Sequence, residues 1–394
     1  MTIRFLTAGE SHGPALTVIL EGIPSGLPLA ESQINHELQR RQKGYGAGGR
    51  MKIEHDTIRL LGGVMAGQTT GAPIAMLIEN TDHSKWQGKA VQAFTTPRPG
   101  HADLTAAIKY DYPDFRPSLE RASARETAAR VAMGAVCKAF LAQFKIQVGG
   151  YVCSIEEIVA DLENIAIEER AVLAEQNDLR CPSETTAIQM RERIRRVMDE
   201  RDTLGGVIEV VALGLPIGLG SHIQWDRRLD ARLGAAILSI PAFKGVEIGE
   251  AFKNTRLPGT QVHDAILIQG DQIIRPTNRA GGLEGGITNG KPLLLRAAMK
   301  PIATTLNPQA TVDLATGQPA QTVYERSDFC PVPRAVPVAE AMVAFVLAEA
   351  LLEKLGGDSL TEIKPRFEQL SQASISQLHM QGESITFWPT EEQE

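Results

Sequence analysis

Cysteine is scarce and scattered in this chain: four among 394 residues, at 137, 153, 181 and 330. No two are spaced Cys-x-x-Cys, and no histidine stands near them at ligand spacing. Neither a disulfide framework nor a metal site is expected, and the pattern is that of reduced thiols in the cytoplasm. Aromatic residues make up only 5%, which leaves little for stacking on nucleic-acid bases. Positive charge does not dominate either: the net charge is −7, so nothing draws the whole molecule to nucleic acid or an anionic membrane. No run approaches the roughly 18 apolar residues of a membrane span. The opening MTIRFLTAGESHG has too short an apolar stretch for a signal peptide. These absences predict a soluble cytoplasmic protein whose anion recognition comes from local clusters of arginine.

What is present is an ordinary globular composition, 43% hydrophobic and 22% charged. Strand-like runs lie at Ala15–Glu21, Ala72–Ile78, Val207–Leu213, Ala265–Ile268 and Pro292–Leu295. Helical periodicity marks Glu31–Gln42, Ser123–Phe144, Ser183–Arg201, Leu229–Ile240 and Val338–Leu355. Their interleaving predicts an α+β or α/β fold. The helix from Ser123 opens on a capping box, with Ser123 and Glu126 each able to satisfy an orphan amide. The pattern Gly-Ile-Pro-Ser-Gly-Leu at 22–27 returns as Gly-Leu-Pro-Ile-Gly-Leu at 214–219, each copy after a strand and before a helix. A chance match of turn residues would explain it; a duplicated unit, giving two related halves in one body, explains it better. The acidic end Glu391–Glu394 reads as a frayed tail.

Six motifs carry chemistry, and each alone also fits an unremarkable turn, cap or surface ion pair. Gly9-Glu10-Ser11-His12-Gly13 puts a histidine in a turn, suited to general acid work. Arg40-Arg41 followed by Gly44-Tyr45-Gly46-Ala47-Gly48-Gly49-Arg50 contains GxGxxG. It follows a helix rather than a strand, so it is no dinucleotide fingerprint, though a glycine loop with arginines suits anions. Arg98-Pro99-Gly100-His101-Ala102-Asp103 places an arginine and a histidine on a fixed turn. Arg121-Ala122-Ser123-Ala124-Arg125-Glu126 flanks a helix start with cations. The glycines of 282–290 allow close backbone approach to a ligand. With them go Lys300-Pro301-Ile302-Ala303-Thr304 and Glu325-Arg326-Ser327-Asp328.

Taken in order, GESHG…EGIP, RRQKGYG, RPGHAD, SARET, GGLEGGITNG, MKPIAT and ERSD resemble the chorismate synthase family from residue 5 to about 355. The resemblance implies one domain over 1–394, a βαβ sandwich with an internal pseudo-twofold repeat, assembled as a homotetramer. It implies a 1,4-trans elimination of phosphate from 5-enolpyruvylshikimate 3-phosphate that needs reduced FMN. By resemblance, His12 protonates the leaving phosphate, His101 serves the reduced flavin and Asp328 assists removal of the C6 proton. Arg50, Arg98, Arg125 and Arg326 would clamp the substrate's anionic groups. FMN contacts would fall on Arg121, Ala122, Ser123, Pro241, Ala242, Gly285, Lys300, Pro301, Ile302, Ala303, Thr304 and Arg326. The chain departs from the family twice. Ala47 stands where an arginine is common, which weakens an NADPH phosphate contact shared with Arg41, and Ala122 replaces a common serine. A reductase that uses NADPH to supply reduced FMN and an RNA-binding protein are rival readings. The missing arginine at 47 disfavours the first and the acidic balance the second.

Overall fold

The computed structural model describes residues 3–47, 56–324, 328–370, 373–384 and 387–388. Arg50, Glu325–Ser327 and the acidic tail therefore lie outside the described residues. Two antiparallel sheets enclose a layer of helices. The first contains β1 (Arg4–Ala8), β2 (Ala15–Glu21), β3 (Ile58–Gly62) and β4 (Ile74–Glu79) in the order β1-β2-β4-β3. The second contains β5 (Gln147–Ile155), β6 (Gly206–Leu213), β7 (Phe243–Ile248) and β8 (Leu293–Met299) in the order β7-β8-β6-β5, with Ile158–Val159 on the outer edge.

The second sheet repeats the first, strand for strand. Leu20 lies opposite Ile74 as Ala212 lies opposite Leu293, and Ala15 lies opposite Glu79 as Val207 lies opposite Ala298. The duplicated turn repeats down to single atoms. The Thr69 hydroxyl accepts from the Leu27 amide at 3.0 Å and donates to the Pro24 carbonyl at 2.6 Å. The Thr288 hydroxyl does the same with Leu219 and Pro216, at 2.9 and 2.7 Å. The halves suggested by the two G-x-P-x-G-L segments are real, and the matching threonines, 42 and 69 residues further on, are what lock each turn.

Period-two burial gives each sheet an apolar inner face: Leu16, Val18 and Leu20 with Ile74, Met76 and Ile78, and Leu293, Leu295 and Ala297 with Ile208, Val210 and Ala212. Between them lie α1 (Glu31–Gln42), α4 (Thr127–Ala142), α7 (Leu229–Leu238) and α8 (Val332–Leu355). At the central crossing a Cβ on Gly134 would stand 2.2 Å from that of Ala341, so only glycine admits the approach of α4 to α8. Apart from that layer run α2 (Asp103–Tyr110), α3 (Arg116–Arg121), α5 (Ile167–Ala174), α6 (Glu184–Glu200) and α9 (Leu360–Glu368), of which α6 adds Met190 and Ile194 and α9 adds Ile363 to the core.

Three expectations need correcting. Helix α8 starts at Val332 rather than at 338. Pro333 is harmless in a first turn, and the carbonyl that Pro337 cannot serve accepts instead from Arg180 Nη1 at 2.7 Å. The same helix is long and apolar enough to cross a membrane, contrary to the reading of the bare sequence, but 89% of its most apolar window is buried inside the protein. The capping box at Ser123 is half made. Ser123 Oγ accepts from the Arg125 amide at 3.3 Å, while the Glu126 carboxylate turns to Thr7 Oγ1 at 2.8 Å and to Arg130.

Candidate active site

The turn between β1 and β2 carries His12. Gly9 opens it at φ +109°, where a Cβ would lie 2.3 Å from the Ala15 carbonyl, so only glycine turns the chain here. Asn80 Nδ2 braces the turn from below, donating to the carbonyls of Glu10 at 3.1 Å and Gly13 at 2.8 Å. The His12 ring is half-buried, with Nδ1 2.7 Å from Glu120 Oε1 and its plane tilted against Trp86 at 4.3 Å between centroids. The His12 amide donates to Glu120 Oε2 at 2.7 Å. Burial alone would raise the Glu120 carboxyl, but the hydrogen bonds from His12 outweigh it and hold the group below its ordinary value.

The Ser123 turn abuts this histidine directly. Ser123 Oγ donates to Ser11 Oγ at 3.2 Å, and Arg121 Nη2 donates to Thr7 Oγ1 at 2.8 Å and to the Thr7 carbonyl at 3.1 Å. Ala122 closes α3. Behind the turn, Arg125 is buried, with Nε on Asn80 Oδ1 at 2.8 Å and Nη1 on Asp56 Oδ1 at 2.5 Å. Arg41 approaches from α1 and gives Nε to Thr127 Oγ1 at 3.0 Å and Nη2 to the Ala124 carbonyl at 2.8 Å. Both arginines are thus built into the wall of the turn. Ala47 lies at the end of the described part of its loop, just beyond Gly46, whose carbonyl accepts from the Phe329 amide at 2.9 Å.

The second histidine belongs to a tighter cluster. Buried Asp103, the first residue of α2, takes Arg98 Nε at 2.8 Å and Nη2 at 2.9 Å, and lies 2.6 Å from His101 Nδ1. Burial pushes this carboxyl up, yet the hydrogen bonds and charges of Arg98 and His101 win and keep it well below the usual carboxylate range. Arg98 Nη1 spans to Thr304 Oγ1 at 3.3 Å, tying the first half's loop to the second half's Lys300–Thr304.

Lys300 ends β8. Its amide donates to the Ala242 carbonyl at 3.0 Å, with Ala242 held at φ +70° beside the bulge in β7. Burial, reinforced by the charge of Lys244, lowers the Lys300 ammonium below its ordinary value. Among the described residues that ammonium has a single hydrogen-bond partner, the Pro301 carbonyl at 3.3 Å. A Cβ at Gly100 would stand 3.5 Å from Lys300 Nζ and 3.9 Å from Ala303 Cβ, so the glycine keeps this cradle open. The Ile302 carbonyl accepts from Thr203 Oγ1 at 3.0 Å, and Pro241 precedes Ala242 in the loop after α7. That loop is joined to the Ser123 turn through Glu126, Arg130 and Ser239, with Arg130 Nη1 2.7 Å from Ser239 Oγ.

Asp328 pairs with Arg334 Nη1, and Arg334 Nε donates to the Arg41 carbonyl at 3.2 Å. The adjacent Phe329 carbonyl accepts from the Leu204 amide at 2.8 Å, beside the Thr203 contact to Ile302. A continuous chain of contacts therefore joins His12, Ser123, Ala242, Lys300, Arg98, His101 and Asp328.

This arrangement meets a matching outside resemblance. The sequence profile of the family described as "Chorismate synthase" matches residues 3–352. The chain belongs to the chorismate synthase family. It is 52% identical over 376 residues to the chorismate synthase of Syntrophotalea carbinolica, covering 93% of this chain and 97% of that one. It is 53% identical over 384 residues to the chorismate synthase of Aquifex aeolicus, covering 93% and 96%. A crystal structure of a chorismate synthase superposes with a TM-score of 0.78 at 46% identity, covering 93% of this chain and 97% of that one. Chorismate synthase is a lyase of the shikimate pathway, and the chain is such an enzyme.

Gly285, also expected in the site of a chorismate synthase, sits at the other end of α7 from Pro241 and Ala242. It forms the tip of the hairpin Leu283–Thr288, which meets the first residue of α7 through the Gly286 carbonyl and Leu229 amide, 2.9 Å apart. Pro241 and Ala242 follow the other end of that ten-residue helix, about 15 Å away at 1.5 Å per residue. Arg50 and Arg326 lie outside the described residues. Reading the motifs alone missed Glu120, Asn80, Trp86 and Arg334. None belongs to a glycine-marked segment, and only the fold brings them to the histidine and the aspartate. Asp103 stood inside the quoted RPGHAD, and its carboxylate was the available clue to how Arg98 and His101 are held.

Proposed function

We propose that this chain converts 5-enolpyruvylshikimate 3-phosphate to chorismate by 1,4-trans elimination of phosphate, with reduced FMN as cofactor. The observation that carries this reading is that two carboxylate-paired histidines are joined by one chain of contacts to Lys300, which no carboxylate among the described residues compensates. The donor set fits a phosphorylated planar group. The Lys300 ammonium, the hydroxyls of Ser123 and Thr304 and the guanidinium of Arg121 offer donors, and Gly100 leaves the space beside Lys300 unfilled. Arg121, Ala122, Ser123, Pro241, Ala242 and Lys300 through Thr304 would hold FMN, with Arg326 and Gly285 added by family resemblance. Reduced flavin would supply electron density to a substrate whose C6–H is too weakly acidic for a side-chain base alone.

The protein's part is proton handling and charge. His12, held at Nδ1 by Glu120, acts in its doubly protonated form: it keeps the Nδ1 proton on Glu120 and delivers the Nε2 proton to the departing phosphate, which leaves the neutral Nδ1–H ring. Asp328 takes up the proton from C6, its carboxylate kept in place by Arg334. His101, clamped by Asp103, offers a fixed hydrogen bond to the cofactor. Arg98 and Arg125, with Arg50 and Arg326, set a positive potential around an anionic substrate, although Asp103 and Asp56 already neutralise two of them. Arg41 is committed to the Ser123 turn and Ala47 carries no charge, which supports FMN as the ligand here and disfavours NADPH. We place the enzyme in the cytoplasm as a homotetramer. Trp225, Phe252 and Ile268, each at least 67% exposed, supply apolar surface for assembly.

Phosphate release from that substrate, present with reduced FMN and absent with oxidised FMN, tests the reading as a whole. The cofactor assignment has its own test. Lys300→Met is expected to weaken FMN binding roughly 10–100-fold, as loss of a charged hydrogen bond does, and to leave riboflavin affinity unchanged. A fluorescence titration showing equal losses for both flavins would remove Lys300 from the phosphate.

A further inference from the structure

Glu120 makes three contacts with a single turn. Its Oε1 meets His12 Nδ1 at 2.7 Å, its Oε2 accepts from the His12 amide at 2.7 Å, and its carbonyl accepts from the Ser11 amide at 3.3 Å. It is the penultimate residue of α3, followed directly by Arg121, Ala122 and Ser123. The far side of the turn is closed as well: His83 Nδ1 lies 3.0 Å from the His12 carbonyl, and Trp86 flanks the ring. A carboxylate accepts and never donates when ionised, so it holds one ring proton on Nδ1 and leaves Nε2 as the nitrogen that carries the second, transferable proton towards a substrate. Gripping ring and backbone amide with separate oxygens also fixes the ring's rotation relative to the chain. A surface ion pair does neither, and here both side chains are half-buried, at 17% and 12% exposure.

We propose that Glu120 is the positioning residue for His12, setting its tautomer and orientation and tying the proton donor to the Ser123 turn. The proposal rests on the reading of His12 as the acid that serves the leaving phosphate. Because Glu120 acts through His12 alone, it contributes to the rate of the chemical step and not to binding of the substrate.

The test combines kinetics with ring 15N spectra of the full-length protein labelled at histidine, the His12 signals being assigned with His12→Asn. Glu120→Gln is expected to lower kcat about 10–100-fold with KM within about 3-fold, a fraction of what general acid catalysis supplies. In the His12→Asn background the same change is expected to have no further effect on kcat. Where the ring is neutral, the wild-type spectrum is expected to show the Nδ1–H tautomer at His12, and Glu120→Gln to shift it towards a mixture. Glu120→Ala serves as a second variant, its circular dichroism reporting whether the fold survives. An undiminished effect of Glu120→Gln in the His12→Asn background would overturn the proposal, as would an Nε2–H tautomer in the wild type. Loss of the elimination reaction in the wild type would instead overturn the function assigned to the site, and the spectra would still decide the pairing.

Discussion

Replacing His12 or Asp328 by asparagine is expected to cut turnover by about 10²–10⁴-fold, the range over which a positioned proton donor or acceptor acts. Asparagine keeps a polar side chain of modest size at each place. Glu120 then retains the His12 amide at 2.7 Å, and Arg334 retains an oxygen partner at position 328. The fold and the FMN cradle at Lys300 should survive, because neither substitution touches the Ala242–Lys300 contact or the Gly100 opening. Single-turnover phosphate release with reduced FMN, set beside FMN affinity for each variant, separates chemistry from binding. A wild-type rate in either variant removes the proton-transfer role given to that residue.

The largest effect on stability is expected at Glu340, whose side chain is fully buried in α8. It accepts from Arg40 at 2.7 and 3.0 Å and from Lys138 at 2.5 Å, joining α1, α4 and α8 at one point. Alanine there removes the one fully buried partner of two cations, which keep Glu37 and, for Arg40, Glu175, and should cost about 3 kcal/mol, the lower end for breaking a buried pair. Burial on its own would raise this carboxyl, but the charges of Lys138 and Arg40 lower it below 4.5. A carboxyl lowered in the folded state stabilises fully above its unfolded value and loses that contribution as pH falls through the lower folded value. Urea unfolding midpoints should therefore decline on acidification below about pH 4.5 in the wild type, and less steeply in Glu340→Ala. Equal midpoints for the two proteins at neutral pH would show the network to be energetically idle.

Much of the frame was legible in the chain. Helix α1 lies where periodicity places it, and the two G-x-P-x-G-L turns announced the duplication. Strands β5 and β7 were not read, because Gly149, Gly150 and Gly245 dilute their β-branched character. Gly150 is there for tertiary reasons, since a Cβ would meet Val336 of α8 at 3.0 Å. The start of α8 was hidden by two prolines, of which Pro333 is harmless in the first turn and Pro337 depends on Arg180, more than 150 residues away. The site shows the same division. Residues marked by glycine, proline or arginine runs were found, and the carboxylates that position them mostly were not. Glu120 and His12 are 108 residues apart, and Arg40 and Glu340 are 300 apart, so no local pattern records either pairing.

The central claim is a redox-neutral elimination at this site, and one anaerobic assay tests it most directly. Purified protein is mixed with 5-enolpyruvylshikimate 3-phosphate and chemically reduced FMN, without NADPH, and phosphate and chorismate are followed together. The account predicts that both appear in equal amounts, far in excess of the flavin present, and that neither appears with oxidised FMN. Folded protein that binds reduced FMN and releases neither product, or consumes flavin reducing equivalents in step with phosphate, would contradict it.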